Sequence, residues 1–369
     1  MEQMDPDSIA VKTDVGELQH LKRVSRVKHK ILARYLPPWA RILGSTNSLL
    51  AYVDCFAGPG QYEMEGQPVE GSPVIAVREA LGLLQRNNVR SLILYLVDED
   101  SKQVEKLKAH LKSLQPYPTN LKVEVACADS QTFVTDILDK LPPGTPAFFL
   151  IDPYGHPLPL SVIRTILKRP RTEVLINLMW YMISRDINNP KVQFRLNELF
   201  GSTSWQEQSF VNLHGSEREK AFLEYFKSQL GTKLILQFRI RFDMEDIRGG
   251  HATKYYLLHA STHVKAALLM KEVMWPLGDE DGTFDYSGED QGILISQTPT
   301  AEQLKEILLL RFAGKEVTFD NLCEQTWELP FIPKYYRAVV KQMEGNEITI
   351  HRITSKRDGI SGEDRIRFK

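Results

Sequence analysis

Five short apolar runs, separated by helix-like stretches, most constrain what this chain can fold into. The runs are residues 49–54, 91–97, 121–126, 147–151 and 174–179. Between them lie amphipathic stretches at 73–84, 101–114, 131–141 and 160–167. Strands alternating with helices predict βαβ units and a parallel sheet. Runs that are apolar nearly throughout suit a sheet covered on both faces. The expected fold class is therefore α/β, a Rossmann-like doubly wound and mostly parallel sheet. Four of the runs end in or near an acidic residue: Asp54, Asp98, Asp129 and Asp152. In an open α/β sheet the carboxyl ends of the strands are where ligands bind, so four acids in series there predict a site.

After the fifth run the pattern changes. Residues 184–216 are polar and irregular and read as an inserted helical segment, with a helix following at 217–230. Two strand-like runs, 233–242 and 254–259, follow without a helix between them, which predicts an antiparallel hairpin at the sheet edge. Residues 276–298 hold six acids, four glycines and no Lys or Arg, and read as an acidic linker. Beyond it come helix-like segments at 301–312, 319–327 and 333–343, then two strand-like runs around a Gly- and Asp-rich turn. That is the order of a small winged-helix-like domain, expected over 299–369.

Residues 1–44 are expected to form a basic helical region, with an amphipathic helix that begins near Leu18. Between Leu18 and Arg41 stand Lys22, Arg23, Arg26, Lys28, Lys30, Arg34 and Arg41, with no acid. Pro37-Pro38 is expected to end that helix. Such a face is either a solvated surface or a contact for a phosphate backbone. On the C-terminal domain Lys334, Arg337 and Lys341 share one helical face, and Arg357 decorates the wing. Lys28, Lys30, Lys334, Arg337, Lys341 and Arg357 are the candidate nucleic-acid contacts.

Composition sets the outer limits. With 42% hydrophobic and 25% charged residues, the 369-residue chain has the make-up of a globular protein with an ordinary core. The net charge of −1 excludes a chain that binds polyanions through bulk charge alone. Cys55, Cys127 and Cys323 form no metal-ligand spacing, the acids match no dedicated ligand pattern, and no metal is expected. No apolar run reaches the roughly 18 residues of a membrane span, and no signal-peptide stretch opens the chain, so a cytoplasmic protein without a membrane partner is expected.

The strongest local signal is Asp54-Cys55-Phe56-Ala57-Gly58-Pro59-Gly60. Glycines after a first strand let backbone approach a ligand closely. A dinucleotide loop would open a helix at once. Here the next helix is expected only at Ser72-Pro73, read as its cap and first residue, so a ligand without a phosphate fits better. The segment resembles the first motif of the Rossmann-like methyltransferases that use S-adenosylmethionine (SAM). That resemblance covers residues 45–275 and implies SAM as cofactor. It implies that Asp54, Phe56, Ala57, Gly58 and Gly60 form the cofactor loop, that Asp98 meets the ribose hydroxyls, and that Asp129 and Ser130 meet the adenine.

Ile151-Asp152-Pro153-Tyr154-Gly155 is the second signal. It resembles the Asp/Asn-Pro-Pro-Tyr/Phe motif of enzymes that methylate exocyclic amines of bases, shortened by one proline. The resemblance implies Asp152, Pro153 and Tyr154 as catalytic residues. The carboxylate and the proline carbonyl would accept the amine's N–H bonds, and the ring would stack on the base. Over nearly its whole length the chain also resembles the bacterial three-Cys-motif partner proteins, on Asp54 to Gly60, Gly71-Ser72-Pro73, Ile151 to Gly155 and residues 254–275. That family implies a radical-SAM-like partner carrying the cysteine motif. The expected function is SAM-dependent methylation of an exocyclic base amine, N6 of adenine or N2 of guanine. The alternative is a SAM-binding regulator or accessory subunit that docks DNA or such a partner without catalysis.

Overall fold

Each of the five apolar runs is a strand. In the first of two units, Met1–Gly231, helix α1 (Arg26–Gly44) precedes β1 (Leu49–Asp54). A small hairpin, β2 (Gln61–Met64) and β3 (Gln67–Glu70), comes next. Then follow α2 (Ser72–Gln85), β4 (Ser91–Asp98), α3 (Ser101–Lys112), β5 (Leu121–Cys127), α4 (Ser130–Lys140), β6 (Ala147–Ile151), α5 (Leu160–Lys168) and β7 (Thr172–Leu178). Three helices, α6 (Trp180–Asp186), α7 (Phe194–Phe200) and α8 (Gly215–Ser228), complete the unit. The computed structural model describes residues 26–242, 252–278, 285–286, 300–353 and 359–369.

The five long strands lie in the order β5-β4-β1-β6-β7, and the pairings among them are parallel. The chain winds outward from β1 through β4 to β5, then returns to the other side of β1 with β6. Strand order reverses between β1 and β6, so the crevice of this doubly wound sheet opens at their carboxyl ends. Asp54 closes β1, Asp98 closes β4 and Asp152 follows β6 directly. The acids further along work as helix caps: Asp100 accepts from Lys102 N at 2.8 Å, and Asp129 from Thr132 N at 2.8 Å.

Pro37 and Pro38 do not end α1, which runs on to Gly44. An internal proline costs a helix a hydrogen bond and a clash with the carbonyl four residues back. Here packing on both sides of the prolines offsets that cost. Tyr35, Leu36, Trp39 and Ala40 are buried, and Tyr35 Oη and Trp39 Nε1 both donate to the Glu173 carboxylate at the start of β7, the latter at 3.1 Å. Phe148 of β6 is the hub of this region, with ring centres 5.3 Å from Tyr35, 6.0 Å from Trp39 and 6.3 Å from Tyr52.

Helix α2 begins at Ser72, one residue earlier than expected. Gly71 takes the cap position, and the Ser72 side chain bonds Asp54 instead. The inserted region, residues 184–216, is held by aromatic packing. Phe222 lies 5.3 Å from Trp180, 5.2 Å from Phe210 and 6.1 Å from Phe200. Trp180 is thereby a core residue.

The second unit, Thr232–Lys369, opens with the antiparallel hairpin β8 (Leu234–Arg241) and β9 (Thr253–Ser261), then α9 (Val264–Met274). The short β10 (Asp285–Tyr286) pairs with β8 in parallel. Then come α10 (Ala301–Phe312), β11 (Glu316–Thr318), α11 (Phe319–Gln325), α12 (Pro333–Met343), β12 (Ile348–His351) and β13 (Arg365–Phe368). The last three strands form an antiparallel sheet in the order β11-β13-β12. Leu304, Leu308, Phe312, Leu322, Tyr336, Val340, Ile366 and Phe368 form its shared core. A helix, a strand, two helices and two strands make the winged-helix-like arrangement, with β11 as the strand that sequence patterning missed. Most of the expected linker, 276–298, lies outside the described residues, as does Arg357.

Phe148→Ala should cost about 3–5 kcal/mol through lost burial and a residual cavity. Equilibrium denaturant unfolding of the variant against wild type measures it, and a loss under about 1 kcal/mol would contradict the central role given to this ring.

Candidate functional site

The site is built where β1, β4, β6 and β7 end. Asp54 sits at its base with no exposed surface. Tyr52 Oη donates to its Oδ2 at 3.1 Å, Phe56 N to its Oδ1 at 3.4 Å, and Ser72 also bonds it. Burial raises its pKa to about 7; the Ser72 bond opposes the rise and the Asp152 charge adds to it. Asp54 therefore shapes the glycine loop from within, and its hydrogen bonds go to protein groups.

The loop above it is held from several sides. Cys55 N donates to Leu150 O and Ala57 N to Val97 O, both at 2.9 Å. Gly58 and Gly60 have φ of +62° and +80°, the left-handed region in which a side chain is strained. Gly58 N donates to Asp98 Oδ2 at 2.9 Å, and Asp100 N donates to Asp98 Oδ1 at 2.9 Å. Asp98 thus braces the loop, and these two bonds use about half of the four lone-pair positions a carboxylate offers. Cys55 is fully buried and burial pushes its thiol well up, which makes it an inert packing residue.

Two residues beyond the expected set also define the loop. His110 Nδ1 lies 2.8 Å from Pro59 O. The Tyr62 ring, on β2, covers the glycines, since a Cβ on Gly58 would lie 2.6 Å from its hydroxyl oxygen and one on Gly71 2.8 Å from its ring. Ser130 Oγ donates to Cys55 O and so ties the start of α4 to the same loop. Asp129 is exposed and caps α4, with Oδ1 accepting from Thr132 N and Thr132 Oγ1 at 2.8 Å each.

Asp152 has partners the sequence did not suggest. Lys28 Nζ, from α1, lies 2.9 Å from Oδ1 and 2.6 Å from Oδ2. Asn177 Nδ2, on β7, donates to Oδ1 at 2.8 Å. Lys28 is largely buried here, so it belongs to the strand-end site and not to an outward basic face. Lys30 is half-buried, and Arg26, Arg34 and Arg41 are the exposed cations of α1. Pro153 is buried and Tyr154 is 77% exposed. Gly155 has φ +139°, which a side chain rarely adopts. His156 Nε2 lies 2.8 Å from Asp186 Oδ2, on α6, and burial lowers the imidazole pKa against the pull of Asp186. The one legible signal for Asn177 was a lone amide in the apolar stretch VLINL that ends β7.

In the second unit, Lys334, Arg337 and Lys341 are exposed along α12. Arg337 is partly committed: its guanidinium lies 4.8 Å from the Phe319 ring centre and its Nε donates to Ile360 O at 3.2 Å. Among the described residues no helix is long and apolar enough to cross a membrane, and no group of three potential metal ligands occurs.

No protein-family model matches the chain, and no curated protein matches it. Solved structures do resemble it. A Legionella pneumophila protein is 14% identical, covers 69% of this chain and 91% of its own, and has a TM-score of 0.39. Precorrin-6y C5,15-methyltransferase from Geobacter metallireducens is 12% identical, over 67% and 94%, with a TM-score of 0.33. Trm1 from Pyrococcus horikoshii, solved with S-adenosyl-L-methionine, is 10% identical, over 86% and 76%, with a TM-score of 0.34. The strand order and the hairpin define the fold class by themselves: a Rossmann-like sheet of the class I methyltransferase type, with a winged-helix-like region after it.

Asp54 yields a pH prediction. A carboxyl group with a folded pKa near 7 and an unfolded one near 3.8 favours the folded state at low pH, and that contribution is lost as pH rises towards 7. Asp54→Asn should therefore gain stability relative to wild type between pH 4 and pH 8, on the order of 4 kcal/mol in total. Denaturant midpoints measured across that range test it; a difference independent of pH would contradict the buried, elevated carboxyl.

Proposed function

We propose that this chain is a SAM-dependent methyltransferase acting on an exocyclic amine of a nucleic-acid base, N6 of adenine or N2 of guanine. The single observation that carries the reading is that Asp98 and Asp152 stand at the strand ends flanking a left-handed glycine loop, in the crevice where strand order reverses. We place it with the bacterial three-Cys-motif partner proteins on the motifs Asp54 to Gly60, Gly71-Ser72-Pro73 and Ile151 to Gly155, and in the cytoplasm.

The residues fit the cofactor chemically. SAM carries a sulfonium and a ribose diol. Asp98 keeps acceptor capacity for a diol after bracing Gly58. The Asp98 carboxylate favours a cationic ligand. Phe56, Ala57, Gly58 and Gly60 would present loop backbone, Asp129 and Ser130 would close the adenine side, and Asp54 would hold the loop from below. When bound, SAM supplies an electrophilic methyl group. The chain's own part is to orient the acceptor. An aryl amine is a weak nucleophile because its lone pair is shared with the ring. Asp152 and the Pro153 carbonyl would accept its N–H bonds, and the exposed Tyr154 ring offers a face for the base.

Lys334 and Lys341 on α12, and Lys30 on α1, would contact phosphates; Arg337 contributes less, being partly spent on Phe319 and Ile360. A second reading, a SAM-binding regulator or accessory subunit that docks DNA or a radical-SAM-like partner, draws on the Lys28 ion pair, which covers the carboxylate that catalysis would need.

Calorimetric titration with SAM should show binding to wild type and to Asp152→Ala, and at least tenfold weaker binding to Asp98→Ala. Labelled-methyl transfer to DNA, tRNA and rRNA should be lost in Asp152→Ala. Binding with no transfer to any nucleic acid would favour the regulator. Paired Lys334→Glu and Lys341→Glu substitutions should weaken nucleic-acid binding and lower the salt slope by about 1 per phosphate contact removed; an unchanged slope in filter binding would remove α12 from the interface.

A further inference from the structure

The Asp152 carboxylate is already holding an amine. The Lys28 ammonium contacts both its oxygens, at 2.9 and 2.6 Å, and the Asn177 amide takes a third position at 2.8 Å. Three of about four lone-pair sites are thus used. On the other side of the same amide, Asn177 Oδ1 is buried and has no hydrogen-bond partner. A buried carbonyl oxygen without a donor is costly, and it belongs to the side chain that already bonds Asp152. One partly used acceptor, Asp152, and one unused acceptor, Asn177 Oδ1, thus stand on two side chains that bond each other. Lys28 arrives from a helix whose adjacent His29 is buried and lowered to about 4, so His29 is neutral near pH 7 and adds no charge beside it.

We infer that Asp152 and Asn177 form a primary-amine site, that Lys28 is its resident occupant, and that Lys28 and an incoming amine are mutually exclusive. The inference rests on the methyltransferase reading only in naming the incoming amine as the methyl acceptor. Two physical arguments support exclusion. The ammonium already contacts both carboxylate oxygens, so a second amine seeking the same oxygens meets an occupied site. A fixed ammonium beside a nitrogen that gains positive charge as a methyl arrives would also oppose that charge. Lys28 does not substitute for the acceptor in the chemistry, because a protonated amine has no lone pair to attack with. The site therefore selects for a primary amine and is closed by the chain's own α1 until one displaces the lysine.

The test uses the full-length protein. Lys28→Ala removes the side chain and should bind n-butylammonium at least tenfold more tightly than wild type, by calorimetry. Lys28→Met keeps the packed stem, so it guards against a folding defect, and should bind methylammonium in the same way. Adding Asn177→Leu or Asp152→Asn should remove the gain. Tetramethylammonium, a cation without N–H groups, should bind neither variant better than wild type. If folded Lys28→Met shows no gain with methylammonium, or if tetramethylammonium does as well, the inference is overturned. None of these arms needs SAM, so failure of wild type to bind SAM would strike the methyltransferase reading and leave the amine result standing.

Discussion

The site depends on one carboxyl group that never meets solvent. Asp54 ends the central strand of the first unit and receives Tyr52, Phe56 and Ser72. Those three bonds fix the direction of the glycine loop, the exit of β1 and the start of α2 at once. Burial of such a group is expensive unless its oxygens are satisfied, so the loop, the strand and the helix are forced to converge on it. Asp98 then braces the loop from the neighbouring strand, and Ser130 and His110 close it from α4 and α3.

The sheet was legible because its signal is periodic and local. The apolar runs 49–54, 91–97, 121–126 and 147–151 match β1, β4, β5 and β6 to within a residue, and for β1, β4 and β6 the reason is burial along nearly the whole strand, which leaves few alternatives. The β2–β3 hairpin was not legible. Its residues, QYEM and QPVE, alternate weakly and include a proline, and what holds them is the Tyr62 ring over the glycines. Pro37-Pro38 misled for the opposite reason: local propensity was strong, but Tyr35 and Trp39 bonded to Glu173 override it.

The acids of the site were legible by position and their partners were not. Asp98 and Asp152 stand where strand ends put them. Lys28 is separated from Asp152 by 124 positions, while Arg26, Arg34 and Arg41 on the same helix do face outward. Charge composition reports that a helix is basic; only packing decides which of its cations turns inward. Likewise the basic residues at 334, 337 and 341 share a face in sequence and are all exposed, yet Arg337 is also drawn onto Phe319.

Gly155 carries a consequence for the motif it ends. At φ +139° the backbone there turns in a way that nearly every residue with a Cβ resists, although the space around it is empty. What bars a larger residue is the direction of the chain and not a lack of room. An aromatic ring moved one place along, to 155, would have to bend the loop that leads into α5. The ring's address is thereby fixed at 154, where it projects outward as a platform, and the shortened motif is a different loop shape in its own right.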